Sequence, residues 1–114
     1  EPKQLEKLLR LGPSIVAITS GDKGCLVGDS SGRNYAVPAF SVQQVDPTGA
    51  GDVFSAAFTV SLLENSSLEE AARFANAAGA LTVGKVGHID QGIPRRNEVE
   101  TLLRKSLIPN TSRR

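Results

Sequence analysis

The run Val45-Asp46-Pro47-Thr48-Gly49-Ala50-Gly51-Asp52-Val53-Phe54 constrains the fold of this chain more than any other stretch. Before it, apolar residues fall in short β-branched runs. After it, Val53, Phe54, Ala57, Val60, Ser61 and Leu63 recur at helical spacing. A strand therefore ends at Val45 and a helix covers about residues 49–64, with a glycine turn as the joint. Glycines at such a joint leave backbone N–H groups unshielded by Cβ, and those donors sit at the positive end of the helix dipole. Together they make a cradle for an anion, polyphosphate above all. Asp52 falls in the first turn of that helix. A carboxylate there would repel phosphate as a ligand, but it suits a base that takes a proton from an incoming hydroxyl while the cradle stabilises the transferring phosphoryl group. By itself, Gly-x-Gly-Asp also fits a plainer account, in which the glycines only allow a tight turn and Asp52 only complements the dipole.

The rest of the chain supplies an α/β framework for this joint. Leu5, Leu8 and Leu9 make one apolar stripe at helical spacing, ended by Gly12-Pro13. Residues 14–19 (Ser-Ile-Val-Ala-Ile-Thr) are β-branched and nearly all apolar, the pattern of a central strand covered on both faces of a parallel sheet. Residues 20–24 carry turn chemistry, and 25–28 pair as a hairpin across them; residues 29–33 make a second turn, leading into 35–38 and then 42–45, so this middle third reads as a strand meander. Ser67-Leu68-Glu69-Glu70 is a capping box opening a helix with small residues Ala71, Ala75, Ala78 and Thr82 on one face. Pro94 opens a last amphipathic helix whose Val99, Leu102, Leu103 and Leu107 would dock on the domain. Residues 109–114 read as a disordered tail.

Composition narrows the function by exclusion. Among 114 residues, 13 Lys+Arg stand against 12 Asp+Glu, and aromatics are 4%. That combination gives neither a one-sided basic surface nor stacking platforms, so no nucleic acid is expected as partner. No apolar run approaches the roughly 18 residues of a membrane span, and no secretory signal opens the chain, so no membrane is expected and a cytoplasmic location is. A single cysteine, Cys25, fits a reducing compartment and reads as a small buried hydrophobe. With no Met and a start at Glu1-Pro2, the expectation is a piece of a longer chain.

Residues 46–59 (Asp-Pro-Thr-Gly-Ala-Gly-Asp-Val-Phe-Ser-Ala-Ala-Phe-Thr) resemble, position by position, the C-terminal signature of the ribokinase-like carbohydrate kinases, the PfkB family. The resemblance extends further. Ile18-Thr19-Ser20-Gly21-Asp22-Lys23-Gly24 is similar to that family's strand and nucleotide turn, Val37-Pro38-Ala39-Phe40 to the strand before the signature, and residues 67–80 to the helix after it. Nearly the whole chain aligns in order with the C-terminal third of such a kinase. The resemblance implies a ribokinase-like three-layer α/β sandwich, present here as its C-terminal part only. Residues 1–108 would then be the nucleotide-binding and catalytic part, with a mostly parallel central sheet, a strand meander and flanking helices.

It also implies roles. Asp52 would be the catalytic base facing the acceptor hydroxyl, with Gly49, Ala50 and Gly51 forming the anion hole. Thr19, Gly21 and Gly24 would border the ATP site, with Gly51 at the phosphates and Asn76 beside the adenine; a polar residue on an exposed helix face is the plainer account of Asn76. A monovalent cation such as potassium would be held by the Asp46 side chain and carbonyls of Thr48, Thr82, Lys85 and Gly87, with Gln91 as a further candidate. Mostly neutral carbonyls plus one carboxylate suit such an ion better than a divalent one. Asp46 also has the plainer role of turn former before Pro47. The implied cosubstrate is ATP with Mg2+, and the acceptor a small carbohydrate. A nucleoside or vitamin-precursor kinase, or a non-catalytic nucleotide-binding module, remains open. The sugar-binding part, a lid that could form a homodimer, and the magnesium-organising motif are expected upstream, so this chain alone is expected to be inactive.

Three other features are set aside. Residues 79–85 match half of a phosphate-binding Walker loop, but Val86 follows the lysine and the stretch continues a helical face. His88 has no triad or metal partner at useful spacing. Arg95 and Arg96 read as solvated helix-end charges.

Overall fold

The computed structural model describes residues 2–40, 49–83 and 95–107. The expected strand at 42–45, Asp46, Thr48, segment 84–94 with Lys85, Gly87, His88 and Gln91, and the tail after Leu107 lie outside these residues. The elements in order are α1 (Pro2–Arg10), β1 (Ile15–Thr19), a 3-10 turn (Gly21–Lys23), β2 (Cys25–Asp29), β3 (Asn34–Val37), α2 (Ala50–Leu63), α3 (Leu68–Val83) and α4 (Arg96–Leu107).

The strands form one antiparallel sheet in the order β1-β2-β3. The antiparallel β1–β2 pair is the hairpin expected across residues 20–24. Among the described residues β1 is bonded on that one side only, where a central strand was expected, and its ends Ile15 and Thr19 are exposed.

Register sorts the sheet into two faces. Ala17 pairs with Val27 and Val27 with Tyr35, while Thr19 pairs with Cys25 and Cys25 with Val37. Side chains alternate along a strand, so these rows share one face. That face packs on Phe54, Phe58, Leu68, Ala71, Ala72 and Ala75 of the helices. On the other face, Leu5 of α1 seats on Gly28, where a Cβ would come 2.7 Å from the leucine Cδ2. The result is helix, sheet, helices: three layers, as the resemblance implied.

The helices begin and end where local chemistry dictates. Ser67 and Glu70 close the α3 box reciprocally, the Glu70 N–H donating to Ser67 Oγ at 3.1 Å and the Ser67 N–H to Glu70 Oε1 at 2.9 Å. At the end of α2, Asn65 takes a left-handed φ of 67°. The Ser66 N–H then reaches Ser61 O and the Asn65 N–H reaches Leu62 O, both at 3.1 Å, a Schellman turn that folds α3 back antiparallel to α2. α3 is the interior helix, with Ala71, Ala72, Ala75 and Ala77 at 0% exposure. α2 buries Phe54, Phe58 and Ser61, its two rings stacked at 5.8 Å. Val60 and Leu63, read in sequence as part of the buried stripe, are exposed; α2 is apolar nearly all round, so spacing did not single out its inner side.

α4 docks Val99 against Ala77 and Ala78. Arg96, at the helix end and half exposed, also has partners. It makes two 3.0 Å bonds to the Glu64 carboxylate and lies 5.3 Å from the centre of the Phe74 ring, bracing α4 on the α2–α3 turn. Among the described residues no helix is long and apolar enough to cross a membrane.

Two predictions follow from local geometry. Gly24 and Gly32 have nearly equal φ, 96° and 97°, but a Cβ on Gly24 would collide with the Val37 carbonyl, whereas one on Gly32 meets nothing within 4 Å. Gly24→Ala should lower the urea-unfolding stability by at least about 2 kcal/mol more than Gly32→Ala does; equal losses would show that crowding is not the constraint at Gly24. The two bonds from Ser67 hold the Glu70 carboxyl below its ordinary value of 4.5. Its folded-state pKa is thus the lower one, so its contribution is present above about pH 4.5 and is lost as pH falls through the folded-state value. The melting-temperature gap between wild type and Glu70→Ala should therefore narrow as pH is lowered through that window.

Candidate active site

Of the helix starts, that of α2 is built differently from those of α3 and α4. α3 closes its first turn with Ser67 and Glu70, and α4 begins with the Arg95 N–H on the Glu98 carboxylate at 2.8 Å. α2 is entered through Gly49, whose φ of 82° and ψ of −4° are left-handed and which makes no side-chain cap. The first amide to close on α2 is that of Val53, onto Gly49 O at 3.0 Å. Helical geometry therefore leaves the N–H groups of Ala50, Gly51 and Asp52 without intrahelical acceptors. Gly49, Gly51 and Asp52 are exposed, and a Cβ on Gly51 would meet nothing within 4 Å. The residues of the expected cradle thus stand at the positive end of α2 with no acceptor inside the helix, and the Asp52 carboxylate is in the same turn.

The second group of residues surrounds the turn from β1 to β2. The Ser20 N–H bonds Gly24 O at 2.8 Å, the Lys23 N–H bonds Ser20 O at 3.0 Å, and the Gly24 N–H bonds Gly21 O at 3.3 Å. Gly21 and Gly24 both need positive φ, 56° and 96°. Thr19 and Gly21 are exposed, whereas Gly24 is buried, with its Cα against the backbone of residues 37–39. Thr19 and Gly21 can meet a ligand; Gly24 forms the wall behind them.

Asn76 departs from the account of a polar residue on an exposed helix face. It is half-buried, and its amide Nδ2 donates to the carbonyls of Val37 at 3.1 Å and Pro38 at 3.2 Å. It also bonds the Cys25 thiol, whose pKa burial pushes up to about 11, so that the sulfur stays protonated and unreactive. Sequence reasoning missed this engagement. The available signal was one amide side chain among alanines on a helix, which in a buried segment must find an internal partner.

α3 joins the two groups. Gly79 lies three residues beyond Asn76, about 4.5 Å along the axis, and a Cβ on it would stand 3.7 Å from Ala50 O. One end of α3 therefore touches the wall of the β1–β2 turn through Asn76 and the start of α2 through Gly79. Thr82 follows in the last turn, 5% exposed, with its hydroxyl on Ala78 O at 2.9 Å. Its Oγ1 is thus committed to its own helix. Residues 79–83 are helical, which agrees with setting the Walker-like match aside. Of the remaining cation candidates, Asp46, Thr48, Lys85 and Gly87 lie outside the described residues. Among the described residues no three His, Cys, Asp or Glu side chains group as for a metal.

Comparison with known proteins identifies the family. Residues 2–96 match the pfkB family carbohydrate kinase description. The chain is 44% identical over 99 residues to the ribokinase of Bacillus subtilis (strain 168), covering 87% of this chain and 33% of the relative. It is 42% identical over 104 residues to fructokinase-1 of Oryza sativa subsp. japonica, covering 85% and 32%. The solved structure of Arabidopsis thaliana ribokinase complexed with ribose and ATP superimposes with a TM-score of 0.82 at 37% identity, covering 90% of this chain and 33% of that one. The chain spans about a third of the length of the curated relatives it matches. With a family match over most of its residues, this chain belongs to the pfkB family of carbohydrate kinases.

Proposed function

We propose that this chain is the C-terminal nucleotide-binding and catalytic part of a kinase that transfers the γ-phosphoryl group of ATP to a hydroxyl of a small carbohydrate. The observation that carries the reading is the start of α2 at Gly49: three amides without intrahelical acceptors, no Cβ over Gly51, and a carboxylate in the same turn. Amides fixed in a helix need no reorganisation as charge builds on a transferring phosphoryl group, which is how such donors lower a barrier. Asp52 accepts the proton of the attacking hydroxyl as that oxygen becomes acidic late in the transfer. The exposed Thr19 and Gly21 border the nucleotide, whose terminal phosphate points toward Gly49, Ala50 and Gly51. The similarity to a ribokinase and a fructokinase, and to a ribokinase holding ribose and ATP, supports a sugar as acceptor. Nucleosides are the competing class.

Two ions belong to the proposal. Mg2+ accompanies the ATP phosphates and supplies charge neutralisation there. A monovalent cation such as potassium suits the end of α3: because α2 and α3 run antiparallel, the negative end of α3 lies beside the positive end of α2. Carbonyl oxygen at Thr82, with Asp46, Thr48, Lys85 and Gly87 from the neighbouring segments, would be its donor set. A cytoplasmic site of action and a dimer through an upstream lid complete the reading and rest on the family resemblance.

In the full-length protein, Asp52→Asn is expected to lower kcat by about two to four decades while ATP binding, measured by calorimetry, changes little. Near-normal turnover in that variant removes Asp52 from the mechanism. A coupled ADP-release assay over ribose, fructose and nucleosides identifies the acceptor, and activity on nucleosides alone overturns the sugar assignment.

A further inference from the structure

We infer that Asn76 is a positioning residue that fixes the shape of the β1–β2 turn from behind. Its Nδ2 donates to Val37 O and Pro38 O, and the same Val37 carbonyl is the atom against which the Gly24 Cα is stacked. Proline has no N–H, so at Pro38 the strand ladder cannot continue with a β2 acceptor. Past the end of the ladder the Asn76 amide, with two hydrogens to give, ties the Val37 and Pro38 carbonyls to α3. Held there, residues 37–39 form a fixed floor under Gly24, too close for any Cβ. Gly24 in turn closes the turn, accepting from the Ser20 N–H and donating to Gly21 O. Asn76 therefore acts on the ligand-facing Thr19 and Gly21 through Val37, Pro38 and Gly24. Gly79, one helical turn further along α3, meets Ala50. The same helix thereby sets the spacing between the β1–β2 turn and the amides of α2.

The part of this inference that concerns ATP rests on the proposed function; the part that concerns the turn does not. Two variants of the full-length protein test it, Asn76→Asp, which keeps the shape but turns oxygen toward two carbonyls, and Asn76→Ala, which removes the donors without adding charge. Amide hydrogen exchange should speed up about tenfold or more at Ser20, Lys23 and Gly24. The Asp29 and Gly32 amides, which close the opposite hairpin turn onto Arg33 O at 2.9 Å and Asp29 O at 3.1 Å, should be unchanged. The KM for ATP should rise by a similar factor, with kcat at saturating ATP and the KM for the acceptor within about threefold of wild type. A role limited to general stability would speed both turns alike and leave the KM for ATP unmoved, and that result overturns the inference. If wild-type protein binds no ATP, the nucleotide reading fails, while selective loosening of residues 20–24 still upholds the positioning role and unchanged exchange there overturns it.

Discussion

The smallness of Ala71, Ala72, Ala75, Ala77 and Ala78 is the constraint on which the other packing depends. A helix bearing methyl groups on several sides can touch a sheet, an antiparallel neighbour and a third helix at once, because each partner approaches close to its backbone. Alanine also gives up no side-chain rotamer freedom when buried and has the best intrinsic helix propensity. Leucine at these positions would hold the layers apart, and the contacts that assemble the site, Asn76 with the ends of β3 and Gly79 with Ala50, would open first. The two polar side chains α3 takes inside, Asn76 and Thr82, each find an internal acceptor, which is the condition for burying them.

The antiparallel α2–α3 pair divides the labour between its ends. At one end, the unclosed amides of α2 lie beside the last turn of α3. At the other, the Schellman turn and the Glu64–Arg96–Phe74 stack fasten α4. A 14-residue helix puts these ends about 20 Å apart. The ion pair is half exposed, so its value lies in geometric definition of the α4 approach more than in charge attraction.

Sequence reading went furthest where a residue type has one physical use. The capping box at Ser67 and Glu70, the glycine entry to α2 and the turn at Gly21 and Gly24 were legible because each serves a specific backbone need. The hairpin of β1 with β2 was legible from the turn residues between them, but the place of β1 in the sheet was not, since a β-branched run does not say how many neighbours a strand has. Leu63 and Val60 misled for a related reason: an apolar residue on a short helix reports its own hydrophobicity and not which side meets a neighbour. Arg96 and Asn76 were underestimated because their partners, Glu64 and the carbonyls of Val37 and Pro38, are more than thirty residues away in sequence. Such pairings exist only after the layers have met.

Among the described residues, β1 is hydrogen-bonded along one side only. The outward backbone groups of residues 15–19 alternate donor and acceptor at a spacing set by the strand itself, so hydrocarbon cannot cover that side without stranding them. Whatever dries this margin has to bring matching polar groups in the same rhythm, which another extended segment does and a helix face does not. The open flank thus acts as a template: it dictates the backbone form of its neighbour while leaving that neighbour's side chains unconstrained.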